Sequence, residues 1–262
     1  DAYMKAQRTS ALVIVLDGKV VLEKYGLGFN PEGKWTSFSV AKSLTSTLVG
    51  AAIKDGAIES IDDPVTKYIK GLKGSAYDDV SVRQLLTMSS GVQWNEDYED
   101  PNADVAKFNN AEPDKGMDAT VSYMRKLPRA HPPGTVWHYN TGETNLIGVL
   151  LSSATKKPLA QYLSEKVWKP YGMERDATWL LGSTGHEISG CCFQAATRDM
   201  ARFGMFILDN GRVGGKPVLP EGWLAQAAVK QADIGAPGRG YGFQWWTYDD
   251  GSFAAQGIFG QG

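Results

Sequence analysis

The residues best suited to chemistry in this chain are Ser39 and Lys42, in the run Ser39-Val40-Ala41-Lys42. A serine hydroxyl is a weak nucleophile until a neighbouring base takes its proton, and burial turns a lysine into such a base by disfavouring its charged form. Three residues apart at the start of a helix, hydroxyl and ammonium share one face, with the helix's first N–H groups beside the hydroxyl. The following stretch supplies that helix: Val40, Ala41, Leu44, Leu48, Val49 and Ile53 recur among small residues, and Lys42 is the only charge between Ser39 and Ile53. Such a pattern predicts a helix buried within the protein and ended by Asp55-Gly56. The plainer alternative is a capping serine and a lysine that reaches solvent. A second Ser-x-x-Lys, Ser153 to Lys156, falls on a polar helix end and reads as surface.

A third group joins the pair from far along the chain. The run from Pro133 to Thr141 contains Gly134, Trp137, His138 and Tyr139 and leads into Asn145-Leu146-Ile147-Gly148. It sets Tyr139 on a loop before a helix, where a phenol can relay protons between nucleophile and leaving group. His138 beside it reads as a surface or supporting residue. Trp94 and Tyr98 follow the Ser90-Gly91 turn in a polar loop, as the lining of an acyl pocket or as a loop packed on its own aromatics. Glu143 follows Tyr139 by four residues but belongs to no Glu-x-x-Leu-Asn motif.

The elements that must position these groups follow from periodicity and turn signals. The first residues after Asp1 read as the end of a helix, and Ala11 to Leu16 and Lys19 to Tyr25 as a hairpin, because Asp17-Gly18 suits a turn with positive φ at both central positions. Short helices and loops follow: one opened by Asp63-Pro64, one over Val82 to Met88, and a polar stretch from Gln93 to Asp114. Further helices are predicted over Thr144 to Ser153, Leu159 to Trp168 and Thr197 to Leu208, the last stopped by Asn210-Gly211. Tyr241 to Tyr248 and Ser252 to Ala255 read as strands around Asp249-Asp250-Gly251, with Trp245 and Trp246 at core and edge positions. Strands at both ends with helices between predict an α+β protein whose sheet is closed by its two termini.

Length and composition narrow the function classes. With 262 residues, 27 Lys+Arg against 29 Asp+Glu and a net charge of −2, the chain has a core large enough to need no staples and no dense basic stripe for nucleic acid. A small-molecule partner is expected. The adjacent Cys191 and Cys192 form no disulfide framework and match no zinc spacing, and read as two small buried hydrophobes. No apolar run approaches the roughly 20 residues of a membrane span. The absence of a starting Met suggests a processed or trimmed chain and leaves periplasmic, secreted and cytoplasmic locations all open. No Gly-x-Ser-x-Gly occurs, there are only three His, and Gly211 to Lys216 lacks the spacing of a phosphate-binding loop.

Four stretches, in order, resemble the serine hydrolases related to class C β-lactamases. They are Ser39 to Lys42, Leu85 to Gly91, the Pro133-Gly134-Thr135 loop with Tyr139, and Thr197 to Gly204. That superfamily includes DD-peptidases, family VIII carboxylesterases and the 6-aminohexanoate-dimer (nylon oligomer) hydrolases. The resemblance implies a β-lactamase/transpeptidase-like fold, an antiparallel sheet flanked by helices with an all-helical insertion. Residues 1–55 and 195–262 would form the α/β part and 56–194 the insertion, with the site between them. It implies Ser39 as nucleophile, Lys42 as base and Tyr139 as general acid/base, with an oxyanion held by the backbone N–H groups of Ser39 and Ile258, an arrangement often worth ~10²–10³ in rate. No metal or cofactor is implied.

Departures from the family pattern point to specificity. Thr141 stands two residues after Tyr139 where β-lactamases place an asparagine, with Asn140 as a possible substitute. The third motif, Lys-Thr-Gly or His-x-Gly, is replaced by Ala255-Gln256-Gly257, so no cation stands where lactams place a carboxylate. Small esters or linear amides are therefore the expected substrates. A β-lactamase or DD-peptidase activity and a silent peptidoglycan-binding module are the alternatives, and oligomeric state is left open. Because a further strand and helix normally follow the third motif, the chain is expected to be a trimmed span of a longer protein.

Overall fold

The computed structural model describes residues 2–262. A short helix α1 (Ala2–Ala6) precedes the hairpin β1 (Ala11–Leu16) and β2 (Lys19–Tyr25), and β3 (Trp35–Thr36) leads into α2 (Val40–Lys54). Then come α3 (Val82–Leu86), α4 (Asp104–Lys107), α5 (Ala119–Met124), α6 (Thr141–Thr155) and α7 (Leu159–Leu163). The chain continues through β4 (Thr178–Trp179), β5 (Phe193–Ala195), α8 (Thr197–Leu208), β6 (Arg212–Val213), β7 (Lys216–Pro217) and α9 (Trp223–Ala227). It ends in β8 (Arg239–Tyr241), β9 (Trp246–Tyr248) and β10 (Phe253–Ala254). The α+β class expected from the sequence is the class observed.

The core forms around α2, where every residue from Val40 to Ala52 is buried. Its apolar side chains meet those of α6, including Leu146, Ile147 and Leu150, in one contiguous cluster. Close approach is part of the design: a Cβ on Gly50 would stand 2.7 Å from the Trp223 ring. Burying so much of α2 on all sides fixes its first turn as firmly as its middle. That first turn carries Ser39 and Lys42.

The hairpin register agrees with the Asp17-Gly18 turn, Ala11 opposite Tyr25 and Leu16 opposite Lys19, with one irregularity between Ile14 and Val15. Closure of a single sheet by the two termini is not observed. Among the described residues β1–β2, β3–β5–β4, β6–β7 and β8–β9–β10 are separate antiparallel sheets. Alternating patterns identify strands, whereas their partners are chosen by packing; the hairpin docks on α8, where Arg198 pairs with Glu23 at 2.7 Å. The run Tyr241 to Tyr248 is also two strands rather than one. Gln244 turns the chain at φ +63° and sends its buried amide to the carbonyls of Leu85 and Leu86 and its oxygen to the Thr144 hydroxyl.

Smaller differences have local causes. α6 starts at Thr141 rather than Thr144 because Asn140 caps it, its side-chain oxygen accepting the Glu143 N–H at 3.0 Å. The helix expected over Leu159 to Trp168 is α7 followed by a widened π turn over Ser164–Trp168. The polar stretch from Gln93 to Asp114 holds the single turn α4. Cys191 and Cys192 are not two buried thiols: they are half-buried and joined to each other by a disulfide, which composition alone does not reveal.

Candidate active site

Ser39 is the residue from which α2 starts. β3 pairs with β5, and the Ser37 N–H donates to the Phe193 carbonyl at 2.7 Å, anchoring the chain two residues before it. Phe38 then takes a left-handed conformation, φ +45°, an unfavourable backbone state for a bulky residue that this anchoring sustains. Among the described residues the Ser39 N–H has no backbone acceptor, because the first bonds of the turn are donated by Val40, Ala41 and Lys42.

Lys42 is 1% exposed. Its Nζ donates to Ser39 Oγ at 3.1 Å and to the Gly190 carbonyl at 2.7 Å, and lies 5.1 Å from the centre of the Tyr139 ring. Burial brings the lysine down to about 8, with the Glu96 carboxylate pulling in the opposite direction. Near neutrality the ammonium therefore loses its proton at little cost, as a base for Ser39 must. Burial pushes the Tyr139 phenol well above the ordinary tyrosine range, and the Ser39 hydroxyl beside it pulls part of the way back. Tyr139 is thus a neutral phenol with a proton to give. The three residues singled out from the sequence stand together.

Gly190 belongs to a strap wedged between α2 and α6. The Thr45 hydroxyl donates to the Ser189 carbonyl at 2.9 Å, Ser189 Oγ donates to the Thr144 carbonyl at 2.9 Å, and the Gly190 N–H donates to Asn145 Oδ1 at 2.8 Å. These bonds aim the Gly190 carbonyl at Lys42. The Cys191–Cys192 disulfide follows immediately, and the Trp179 indole donates to the Cys191 carbonyl at 3.0 Å.

Glu96 gathers one flank of the site. Its carboxylate accepts the Thr141 N–H at 3.0 Å, the Thr141 hydroxyl, the Trp94 indole N–H and the Tyr98 hydroxyl at 2.6 Å. Thr141 therefore faces Glu96, and Asn140 is spent on the helix cap rather than standing in for the family's asparagine. Trp94 is buried edge-on against Phe108, so it packs its own loop, while Tyr98 is half exposed. His138 bonds the Trp94 carbonyl at 2.7 Å. Lys156 of the second Ser-x-x-Lys is exposed and ends α6 in a left-handed conformation.

Ile258 is 51% exposed, and its N–H makes no hydrogen bond among the described residues. Its segment runs beside the residues before Ser39: a Cβ on Gly257 would stand 3.0 Å from the Ser37 carbonyl, and Phe259 packs edge-on against Phe38 with centroids 4.8 Å apart. The Ile258 segment thus lies alongside the residues that lead into Ser39. The third wall is aromatic: Trp246 stacks on Tyr139 with centroids 5.7 Å apart, and Trp137 and Tyr241 close around both.

Sequence reasoning missed Glu96, Gly190 and the placing of Trp246 against Tyr139. Only the paired carboxylate-and-aromatic character of the 94–98 loop gave any signal for the first, and nothing local marks the others. Among the described residues no group of three or more His, Cys, Asp or Glu is arranged to hold a metal ion. No described helix is long and apolar enough to cross a membrane.

Comparison with known proteins identifies the family and the fold. The chain is 30% identical to a 6-aminohexanoate-dimer hydrolase of Paenarthrobacter ureafaciens over 269 residues, covering 97% of this chain and 68% of that protein. A solved Bacillus anthracis structure, described as a candidate 6-aminohexanoate-dimer hydrolase, superposes with a TM-score of 0.85 at 28% identity, covering 98% of this chain and 70% of that one. A penicillin-binding protein from Bacillus halodurans shares the fold, with a TM-score of 0.74 at 17% identity over 96% of this chain and 85% of that one. The beta-lactamase family model matches residues 1–262, and the chain belongs to that family of serine hydrolases.

Proposed function

We propose that this protein hydrolyses small esters or linear amides through an acyl-enzyme on Ser39. One observation carries the reading: Lys42, buried and lowered to about 8, donates to Ser39 Oγ at 3.1 Å while the Gly190 carbonyl holds it in place. In its neutral form Lys42 takes the Ser39 proton as Oγ attacks the substrate carbonyl. The N–H groups of Ser39 and Ile258 hold the oxyanion, and the Tyr139 phenol protonates the departing oxygen or nitrogen. The Lys42 ammonium then returns its proton to the Tyr139 phenolate, which resets the pair. Water attacks the acyl carbon as neutral Lys42 takes its proton, and that proton passes to Ser39 Oγ as the carboxylic acid leaves. The cleft is taken to lie between an α/β part, residues 1–55 and 195–262, and a helical insertion, residues 56–194.

A linear substrate is favoured by the 30%-identical relative, whose name gives an aminohexanoate dimer as its substrate. Thr141 and Trp94 are both tied to Glu96 on one flank of the site. A panel of p-nitrophenyl butyrate, nitrocefin and a linear aminohexanoate dimer tests the reading. Turnover of the ester and the dimer, with nitrocefin slowest and all three abolished in Ser39→Ala, is expected. Unchanged ester turnover in Ser39→Ala, or nitrocefin as the fastest substrate, would overturn it.

A further inference from the structure

The strap that carries Gly190 runs straight into the Cys191–Cys192 disulfide, which the hydrolytic mechanism does not use. A bond between the side chains of adjacent residues closes a small ring around their own peptide link, so both residues lose most of their backbone freedom. Inside that ring Cys192 takes a left-handed conformation, φ +66°, which a residue with a Cβ seldom adopts. Neighbouring donors fix the pose: the Trp179 indole and the Leu180 N–H donate to the carbonyls of Cys191 and Cys192 at 3.0 and 3.1 Å.

The ring lies between the two backbone points that locate Lys42 and Ser39. On its N-terminal side the Gly190 carbonyl accepts Lys42 Nζ at 2.7 Å. On its C-terminal side the Phe193 carbonyl accepts the Ser37 N–H at 2.7 Å, and the Phe193 N–H donates to Ser37 Oγ at 3.2 Å, two residues before Ser39. Opening the ring frees Cys192 to leave its left-handed state, and a change of φ there turns Gly190 relative to Phe193. Base and nucleophile are tied to opposite ends, so such a turn moves one against the other. The bond is within reach of a small thiol: both cysteines are half-buried rather than enclosed, and Leu180 beside them is 52% exposed.

We propose that Cys191 and Cys192 form a thiol–disulfide exchange site for small dithiols, whose oxidised form holds Ser39 and Lys42 in working geometry and whose reduced form does not. A thiolate of the dithiol attacks one sulfur, forming a mixed disulfide and releasing the other cysteine as a thiolate. The second thiol of the dithiol then displaces the attacked cysteine and closes its own cyclic disulfide. A pair of electrons and a pair of protons have then passed from the dithiol to the protein, which is left with both thiols. A low-molecular-weight disulfide reverses the exchange by the same steps. The proposal rests on the serine hydrolase reading above and adds a redox control to it.

The test follows p-nitrophenyl butyrate turnover and maleimide labelling together across a graded series of reduced and oxidised dithiothreitol. Cys191 and Cys192 are the only cysteines of the sequence, so the reductant has no other disulfide to open. As the dithiol rises, labelling is expected to go from neither cysteine to both. Over the same range kcat should fall about tenfold with KM little changed, because a displaced base costs rate rather than binding. The two curves should share one midpoint, and oxidised glutathione should reverse both. The double variant Cys191→Ser, Cys192→Ser should work at the reduced rate and ignore the dithiol. Full kcat in wild type that carries both labels would overturn the proposal, as would full kcat in the double variant. Wild type that takes no label at any dithiol concentration, or whose labelling no disulfide prevents, would overturn it too. Far-UV circular dichroism separates control from stability: a rate that falls only as ellipticity is lost makes the bond structural and also overturns it. Failure of the underlying reading looks different: the thiols still titrate, but turnover in Ser39→Ala matches wild type in both redox states.

Discussion

At the scale of single residues, the proposed mechanism divides its proton chemistry between a base that loses its charge easily and an acid that does not. Lys42, lowered to about 8 by burial, is neutral above that pH, so kcat/KM for an ester is predicted to rise through a limb near pH 8. Lys42→Met removes the limb and costs about 10²–10⁴-fold in rate, as loss of a positioned general base does. Glu→Gln at Glu96 deletes the carboxylate that holds the lysine up, so the limb moves to lower pH; a limb that stays put or moves up contradicts the assignment. Tyr139 keeps its proton, and Tyr139→Phe is expected to slow amides far more than p-nitrophenyl esters, whose leaving group departs without one. Comparative kinetics on the two substrate types decides this. Ser39, Lys42 and Tyr139 were legible because their types and spacing are local facts. Gly190 was not, since a backbone carbonyl 148 residues from Lys42 acquires meaning only through folding.

At the scale of elements, two helices and a strap hold the geometry, and each has a point of failure. Asn140 caps α6 immediately after Tyr139, so Asn140→Ala should lower stability by about 1 kcal/mol, read from urea midpoints, and loosen the Tyr139 loop. A Cβ on Gly148 would stand 2.2 Å from Ser189 Oγ. Gly148→Ala must therefore displace the strap that aims Gly190 at Lys42, and its expected signature is a shifted pH limb with lowered kcat, not a raised KM alone. Helix α8 matches its sequence boundaries, Thr197 to Leu208, because an amphipathic period and an Asn-Gly stop are both local. The strand predicted over Tyr241 to Tyr248 breaks because the Gln244 amide finds its partners in α3 and α6, an attraction invisible within an eight-residue window. The Cys191–Cys192 bond was missed for a related reason: adjacent cysteines say nothing of the turn in which they sit.

At the scale of the whole molecule, the near-neutral charge conceals a buried carboxyl that links stability to pH. Glu143 is buried beneath the site, with Ser90 and Tyr77 hydroxyls on Oε1 and nothing on Oε2, and burial raises it to about 8. Between its ordinary value of 4.5 and about 8, the folded protein keeps a proton that the unfolded chain has released. Its contribution is therefore full at acid pH and is lost as pH rises through that window. Glu143→Gln should flatten this fall in urea-unfolding free energy; an unchanged slope would mean the carboxyl is ionised in the fold. The same core fixes α2 on every side, and with it the Ser39–Lys42 pair on which the catalytic reading depends. The most direct test of that reading is intact-mass and peptide mapping of enzyme quenched during p-nitrophenyl butyrate turnover. A single butyryl group on the peptide containing Ser39, lost in Ser39→Ala, is predicted; turnover with the acyl group on another residue, or with none trapped anywhere even when deacylation is slowed, would contradict it.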